Sequence, residues 1–296
     1  MAKYLPEFDY IAPKSLAEAM EILHARVQAV GKTMAGGTDL VMAMREKELR
    51  PNYVVSLKNL GHDLEYVRLD PGSGTLRIGA LTTVRSMETS ALPDGRIQLL
   101  GEAASQLGSY QVRNRATLGG NICNASPAAD LVPPLMVLEA SLVLASSKGE
   151  RSISIGDFFT GPGRTKIAKD EILKEIVVRE MKGSWGASFI KISKRANALA
   201  VVNAATLVEI EGNTLRDVRI SFGAVAPTPV RAGNVEKALR GASLSSLDLS
   251  KVHGELDRDI KPISDLRAGE AYRRHLAWVL LKRSLAASIG RAKHGK

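Results

Sequence analysis

Cysteine is almost absent from this sequence, since the 296 residues contain only Cys123. A single thiol excludes an internal disulfide and cannot supply the several thiolates that an iron–sulfur cluster held by one chain requires. The sequence also lacks HExxH and paired CxxC motifs, and its five histidines lie far apart. We therefore expect no metal site in this chain, and any iron–sulfur cluster that serves it must lie on another subunit.

Aromatic residues are also scarce, at 4% of the chain, and they do not alternate with Lys and Arg as a base-stacking surface requires. The formal net charge of +10 is compatible with nucleic acid, an acidic protein partner or an anionic ligand. The shortage of aromatic residues argues against nucleic acid. It favours a solvated basic surface that partly meets an acidic subunit.

No apolar run is long enough to cross a membrane. The longest candidate, residues 128–145, contains Asp130, Glu139 and two prolines. The first residues, MAKYLPEFDYIAP, lack the order of charged, apolar and small residues of a secretory signal. We therefore expect no membrane span and a cytoplasmic location.

The first part of the chain alternates helical and β patterns. Its length predicts two domains or one domain with two lobes. Ser15 and Glu18 form a capping box that predicts a helix to about Val27, and KTMAGG predicts a short buried strand before a helix that opens at Thr38 or Asp39. Further strands are predicted at 53–57, on both sides of a turn at 71–74, at 141–147 and at 171–178, with a helix at 96–106 and a loop at GDFFTGPGRT.

The second half predicts a separate antiparallel sheet. The segments ASFIKIS, AVVNAATLVEI and TLRDVRISFGAV have strand patterns, and EGN between the last two is a tight-turn signal. VEKALRG predicts a short helix, and a long C-terminal helix follows. In that helix a stripe with helical spacing is expected to lie mostly in the core, formed by Tyr272, Leu276, Val279, Leu280 and Arg283.

The common nucleotide-binding motifs, GxGxxG and GxxxxGK(S/T), are missing from the sequence. Two glycine pairs are the remaining candidates for binding the phosphates of a nucleotide. AGGTDL, residues 35–40, lies between a predicted strand and a predicted helix, where backbone amides can point at an anion. Gly36, Gly37 and Thr38 could donate those amides, and Asp39 could cap the helix or bind a ligand hydroxyl. A glycine pair in this position is also common as a purely structural turn.

TLGGN, residues 117–121, repeats the same arrangement about eighty residues later. Two amide-lined loops from separate lobes could hold the pyrophosphate of a dinucleotide and leave its rings on opposite sides. The sequence therefore predicts a dinucleotide cofactor.

Five segments are similar to signatures of a known family: FDYIAPKSLAEA, TMAGGTDLV, GSYQVRNRATLGGNICNASPAADLVPPL, GDFFTGPGRT and RANALAVVNAA. The family is the FAD-binding medium subunit, or FAD domain, of molybdenum hydroxylases of the xanthine dehydrogenase and carbon monoxide dehydrogenase type. The resemblance covers nearly the whole chain, and TLGGNICNASPAAD is its most specific part.

The resemblance implies an α+β chain. A two-lobed α/β FAD-binding domain of the PCMH type would span residues 1–177, with lobes at about 1–58 and 59–177. A C-terminal domain of the CO dehydrogenase flavoprotein type would span residues 178–296, with a three-stranded antiparallel sheet packed on helices.

The resemblance also implies which residues bind FAD, without a covalent link, between the lobes. The pyrophosphate and ribityl chain would be held by Thr33, Met34, Ala35, Gly36, Gly37, Thr38, Asp39, Leu40, Thr117, Leu118, Gly119, Gly120 and Asn121. Asp130 would bind a polar group of the cofactor, and Leu107, Leu173 and Lys191 would lie near it. Relatives can carry an aromatic residue at the position of Leu107, so stacking is not expected there.

Simpler interpretations stay open for the charged residues and the thiol. Lys191 near the flavin N1 and C2 carbonyl would favour reduction, since a reduced flavin gains negative charge there, but it could equally be a strand-edge lysine. Asp130 could be only a helix N-cap. No His or Asn motif supports a catalytic role for Cys123, and no catalytic residue is predicted.

The implied function is electron transfer within a larger enzyme. Substrate would be oxidised at a molybdenum–pterin centre on a large partner subunit, and electrons would pass through two [2Fe-2S] clusters on a small partner subunit to FAD and then to an external acceptor. No ferredoxin-like or molybdenum domain is fused to the chain, so we expect separate subunits, assembled as a dimer of heterotrimers. The cysteine-bearing insertion of hydroxybenzoyl-CoA-reducing relatives is missing too.

Two other hypotheses are less consistent with the sequence. An autonomous FAD-dependent oxidase of the vanillyl-alcohol-oxidase type would need a substrate-binding cap, but the second half is short and poor in His and Tyr. A nucleic-acid module or scaffold would leave both glycine loops unexplained. The sequence does not identify the substrate, and quinone, NAD, oxygen and ferredoxin all remain open as acceptors.

Overall fold

A three-stranded parallel sheet organises the first lobe of the computed structural model, which describes residues 4–46 and 48–294. The strands, in the order β1–β3–β2, are β1 (Asp9–Ile11), β2 (Gly31–Met34) and β3 (Tyr53–Ser56). The helices of this lobe are α1 (Leu16–Ala25), α2 (Leu40–Arg45) and α3 (Gly61–Leu64).

The capping box is confirmed, because Ser15 Oγ accepts a hydrogen bond from the Glu18 N–H at 3.1 Å. The prediction that β2 is buried is wrong, since Lys32 and Thr33 are exposed on this edge strand.

The second lobe contains a five-stranded antiparallel sheet with the order β4–β5–β10–β6–β7. Its strands are β4 (Val67–Leu69), β5 (Leu76–Gly79), β6 (Ser141–Ser146), β7 (Gly149–Ser154) and β10 (Ile172–Val178). The remaining elements are α4 (Val84–Glu88), α5 (Gly95–Ser105), α6 (Tyr110–Arg113), α7 (Leu118–Cys123), α8 (Val132–Val137), α9 (Ile155–Phe158), β8 (Phe159–Gly161) and β9 (Arg164–Thr165).

Two features of this lobe differ from the prediction. Strand β7 was not predicted, because it is a mostly exposed edge strand whose sequence, GERSIS, has one apolar residue. GDFFTGPGRT, predicted as a loop, contains the last turn of α9 and the β8–β9 hairpin. The hairpin is fixed in place where the Gly163 N–H donates to the Ala125 carbonyl at 3.0 Å.

The second half forms the predicted meander. The sheet has the order β11–β12–β13–β14, and its strands are β11 (Ser184–Ser193), β12 (Ala200–Glu211), β13 (Thr214–Gly223) and β14 (Val230–Arg231). The EGN turn is confirmed between β12 and β13, with Gly212 at φ +58°. The two-residue strand β14 extends the predicted three-stranded sheet to four. The helices are α10 (Gly233–Leu239), α11 (His253–Asp259) and α12 (Glu270–His294).

This sheet is buried on both faces. Along β12, Ala205 and Leu207 pack into the core of the second lobe, whereas Ala204 and Val208 pack into the core beneath α12. The alternation follows the two-residue period of a strand. The C-terminal sheet is therefore continuous with the packing of the second lobe, and the boundary at 177/178 stays a prediction.

Helix α12 lies very close to β11. A Cβ atom built on Gly186 would be 2.3 Å from the Ser288 carbonyl oxygen and 2.4 Å from the Ala292 nitrogen. The predicted apolar stripe is only partly right, because Leu276 and Leu280 are buried while Tyr272 is 54% exposed and Arg283 is exposed. Small residues on the buried side of α12 allow it to lie this close to β11.

In the described part of the chain, no helix combines the length and the apolar character needed to cross a membrane.

Replacing Gly186 with Ala should destabilise the protein, because the new methyl group collides with the backbone of α12. We expect a loss of about 1–3 kcal/mol in the free energy of unfolding, the usual cost of overpacking. Gly254→Ala is the matched control, since no atom lies within 4 Å of the added Cβ on helix α11. Urea unfolding followed by circular dichroism compares the two variants, and equal midpoints would contradict the proposed contact.

Candidate functional site

The first glycine loop contacts the backbone directly ahead of the second glycine segment. A Cβ atom on Gly36 would lie 1.8 Å from the Arg115 carbonyl oxygen and 3.1 Å from the Ala116 nitrogen. Arg115 and Ala116 directly precede Thr117, the first residue of the second loop. Only glycine allows this approach, so the sequence pattern at Gly36 is explained by the contact itself.

The first loop has free backbone donors. It follows β2, whose last residue, Met34, accepts a hydrogen bond from the Leu57 N–H at 2.8 Å. Gly37 has φ +75°, which turns the chain toward α2. None of the N–H groups of residues 35–39 donates a hydrogen bond to another described residue. Unpaired amides ahead of a helix are a common arrangement for binding an anionic group.

Asp39 occupies the position before α2 but does not cap it. The side chain makes no capping hydrogen bond, and the residue is exposed with a helical backbone conformation. The prediction of a helix-capping role is therefore wrong. The carboxylate stays available to a ligand hydroxyl.

The predicted second loop, residues 117–121, is the first turn of α7, with Thr117 as the N-cap, and its role differs from the predicted one. Its N–H groups already donate within the protein at 2.9–3.0 Å: Leu118 to the Thr82 carbonyl, Gly119 to the Ala80 carbonyl, Gly120 to Thr117 Oγ1 and Asn121 to the Thr117 carbonyl. The prediction that this loop presents free amides is therefore wrong. A Cβ atom on Gly119 would lie 2.7 Å from both the Cβ and the oxygen of Ala80, so this glycine permits close packing.

Two buried polar atoms flank these loops. Asn121 Oδ1, on the second loop, and Ser56 Oγ, at the end of β3, find no hydrogen-bond partner among the described residues. Met34 is the neighbour of Ser56 across the sheet, which places that hydroxyl at the start of the first loop. Buried polar groups are normally satisfied. The donors and acceptors at this junction therefore fit a polar, anionic ligand such as the pyrophosphate and sugar chain of a dinucleotide.

Asp130 and Lys191 form a buried ion pair. Lys191 Nζ lies 2.6 Å from Asp130 Oδ2 and donates to the Gln106 carbonyl at 2.8 Å, and each charged side chain is 4% exposed. Burial raises the pKa of Asp130, whereas the Lys191 ammonium and the Asn203 amide oppose that rise. Lys191 does lie on the edge strand β11, as the simpler interpretation had it, but its side chain is buried. The interpretation of Asp130 as only a helix N-cap is wrong, because α8 begins after Leu131 with no side-chain cap. Because Asp130 compensates its charge, Lys191 is not a free cation.

The remaining predicted residues lie in the core of the second lobe. Leu107 and Leu173 are both buried there. Leu107 follows Gln106, whose carbonyl binds Lys191, so it lies beside the ion pair. Leu173 pairs with Leu144 in the sheet and precedes Lys174, whose carbonyl accepts from the Ala80 N–H at 3.0 Å. Leu173 is therefore linked to the second loop through Ala80.

One residue of this region was not predicted. Asn203 is fully buried on β12, and its Nδ2 donates to Asp130 Oδ1 at 2.8 Å. The sequence did indicate this residue, since a polar side chain interrupts the apolar run of AVVNAATLV.

Cys123 is partly buried against the core, and that burial raises the pKa of its thiol to about 12. A thiol that stays protonated at neutral pH is a poor nucleophile.

Two surface depressions lie away from the glycine loops. One, of about 720 Å³, is lined by residues of α1, α3 and the charged face of the second-lobe sheet. The other, of about 660 Å³, is lined by Lys194, Arg195, Ala198, Leu199 and Arg267. Within residues 4–46 and 48–294, no three His, Cys, Asp or Glu side chains are grouped so that they could hold a metal ion. The candidate site is thus defined by the meeting of the two loops.

The chain matches two family models that together cover most of its length. Residues 6–178 match the FAD binding domain in molybdopterin dehydrogenase, and residues 187–288 match the CO dehydrogenase flavoprotein C-terminal domain. The glyceraldehyde dehydrogenase medium chain of Sulfolobus acidocaldarius is 32% identical over 277 residues, which cover 94% of this chain and 96% of that protein. The xanthine dehydrogenase FAD-binding subunit of Escherichia coli O157:H7 is 30% identical, with 96% of each chain covered.

A solved structure of carbon monoxide dehydrogenase from Hydrogenophaga pseudoflava, which lacks the Mo-pyranopterin moiety of the molybdenum cofactor, shares this fold. The TM-score is 0.90 at 30% identity, with 97% of this chain and 99% of that chain covered. The chain belongs to the FAD-binding medium subunits of molybdenum hydroxylase-type dehydrogenases, and FAD is the cofactor of its family. It is thus an oxidoreductase component with the predicted α+β fold.

Breaking the buried ion pair from one side should cost more than removing both charges. Asp130→Asn leaves the Lys191 ammonium without a counter-charge, and Lys191→Met leaves the buried carboxylate without one, although the Asn203 amide still donates to it. Each single change should lower the free energy of unfolding by about 3–5 kcal/mol. The double variant should lose clearly less than the sum of the two. Urea unfolding at neutral pH measures all four proteins, and strictly additive losses would show that the two groups do not interact.

Proposed function

We propose that this chain binds one FAD without a covalent link and passes electrons from [2Fe-2S] clusters of a partner subunit to an external acceptor. The contact between the loop at Gly36 and the backbone at Arg115 carries the proposal, because it joins free amide donors of one lobe to the second glycine loop of the other. Membership of the medium-subunit family supports the same function.

The first loop would hold the pyrophosphate. Amides of Gly36, Gly37 and Thr38 are free to donate to phosphate oxygens, and Thr33, Met34, Ala35 and Leu40 frame them. Asp39 and Asn121 would bind ribityl hydroxyls, since one carries an uncapped carboxylate and the other a buried amide oxygen without a partner. The second loop, from Thr117 to Gly120, would support the cofactor by close packing, because its amides are already used.

The buried ion pair would lie at the polar edge of the isoalloxazine. When bound, FAD supplies a redox centre that accepts and releases electrons. Asp130 and Lys191 would orient a polar group of the ring and add little net charge, because they neutralise each other. Leu107 and Leu173 would contribute apolar contacts. The chain needs no general acid or base for this role.

The partners in this proposal are a large molybdenum-binding subunit and a small [2Fe-2S] subunit, assembled as a dimer of heterotrimers. The relatives named above include a medium chain and an FAD-binding subunit, names that imply further subunits. The net charge of +10 suits contact with acidic surfaces. The external acceptor and the cytoplasmic location stay predictions.

Binding of FAD by the purified chain tests the first half of the proposal. We expect one FAD per chain, seen as a change in flavin fluorescence during titration. Gly36→Ala should weaken binding by about tenfold or more, a difference of about 1.4 kcal/mol, because the methyl group forces the loops apart. Gly290→Ala, where no atom lies within 4 Å of the added Cβ, should bind like the unaltered chain. Unaltered binding by Gly36→Ala, or none by the parent, would contradict the proposed site.

Purification of the native complex through this chain tests the second half. We expect two further subunits by mass spectrometry and an absorption spectrum with both flavin and iron–sulfur bands. The isolated chain should not oxidise organic substrates, because the substrate site would lie on the molybdenum subunit. Recovery of the chain alone, or substrate turnover by it, would instead support an autonomous oxidase.

A further inference from the structure

Lys191 and Asn203 are direct cross-strand partners. They face each other in the antiparallel register of β11 and β12, and Gly223 on β13 stands opposite Asn203. Residues directly opposite in such a pair have side chains on the same face of the sheet. Here that face is turned toward the second lobe, as shown by the neighbouring Ala205, which packs into its core.

Together the two side chains hold both oxygens of Asp130. Lys191 Nζ lies 2.6 Å from Oδ2, and Asn203 Nδ2 donates to Oδ1 at 2.8 Å. The same Nδ2 group also donates to the Ala129 carbonyl at 3.2 Å, so Asn203 fixes the backbone beside the carboxylate as well. A carboxylate bound at both oxygens cannot rotate freely. Asn203 therefore controls the orientation of the ion pair although it lies in the C-terminal sheet.

The end of β13 is shaped around this asparagine. A Cβ atom on Gly223 would lie 2.3 Å from Asn203 Oδ1, so no side chain fits there. The next residue, Ala224, has φ +63° and donates from its N–H to the Pro127 carbonyl at 2.7 Å. Arg273, on α12, holds the Ala224 carbonyl at 2.8 Å. The segment from Pro127 to Asp130 is thus fixed by the C-terminal sheet and not by the two lobes alone.

We propose that Asn203 is a positioning residue that holds the Asp130–Lys191 pair in place at the FAD site, so that the C-terminal sheet sets the polar surroundings of the cofactor. Its action on the cofactor rests on the proposed function, whereas its action on the ion pair does not. A buried carboxylate that loses a hydrogen-bond donor becomes energetically costly, because no water replaces the lost partner. Loss of the amide leaves Oδ1 without its donor and lets the carboxylate and Lys191 separate.

The decisive variant is Asn203→Leu, which keeps the approximate size of the side chain and removes its donor. Thr206→Val is the matched control. Thr206 is also fully buried on β12, and its hydroxyl lies 2.6 Å from Ser288 Oγ under α12, on the face turned away from Asp130. Both variants remove one buried hydrogen-bonding group from the same strand, but only one touches the ion pair.

The first readout does not require FAD. Amine-reactive labelling of the full chain, quantified at Lys191 by mass spectrometry, measures whether the ammonium is held in its pair. Lys191 should be protected in the parent and in Thr206→Val, and about tenfold more reactive in Asn203→Leu, the effect of losing a hydrogen bond to a charged group. Protection of Lys191 in Asn203→Leu, or equal exposure in both variants, would overturn the proposal.

The second readout uses the FAD-loaded chain. Asn203→Leu should shift the absorption bands of the bound flavin and weaken FAD binding by about tenfold. Thr206→Val should leave the bands in place even if it lowers thermal stability, and unshifted bands in Asn203→Leu would overturn the proposed effect on the cofactor. A parent chain that binds no FAD would refute the proposed function, while the labelling result would still decide the positioning role.

Discussion

Close backbone contact between two loops is the constraint on which this structure depends. At Gly36 the neighbouring Arg115 carbonyl leaves no room for a side chain, and at Gly119 the neighbouring Ala80 does the same. Both glycine pairs therefore act first by allowing two segments to meet. They differ in their hydrogen bonds, since the amides of residues 35–39 have no acceptor among the described residues, whereas the amides of residues 118–121 donate within the protein. The candidate site is thus asymmetric, with one loop that donates and one that supports.

The buried ion pair explains why the C-terminal sheet belongs to the same structural unit. Asp130 comes from the segment after the second loop, whereas both side chains that bind it come from β11 and β12. A buried carboxylate without partners would be costly, so the two halves of the chain stabilise each other at this point. The same sheet packs against α12 on its other face. Changes in the C-terminal sheet should therefore alter the ion pair and, under the proposed function, the cofactor site.

Local signals in the sequence predicted much of this fold. The capping box at Ser15, the EGN turn and the long α12 each depend on neighbouring residues, and both glycine loops were visible as motifs. Contacts between residues that lie far apart in the sequence could not be predicted in this way. The hydrogen bond of Asn203 to Asp130 spans 73 residues and requires the strand register. Likewise, a glycine pair does not reveal whether its amides face a ligand or, as at Gly119, a carbonyl group of the protein itself.

Hydrogen exchange of the backbone amides, measured with and without FAD, tests the asymmetric site most directly. The amides of residues 35–39 should gain protection when FAD binds, because they have no acceptor within the described protein. The amides of residues 118–121 should change little, because they are already hydrogen-bonded. Protection gained at 118–121, or at Lys194 and Arg195, with residues 35–39 unchanged would contradict the account.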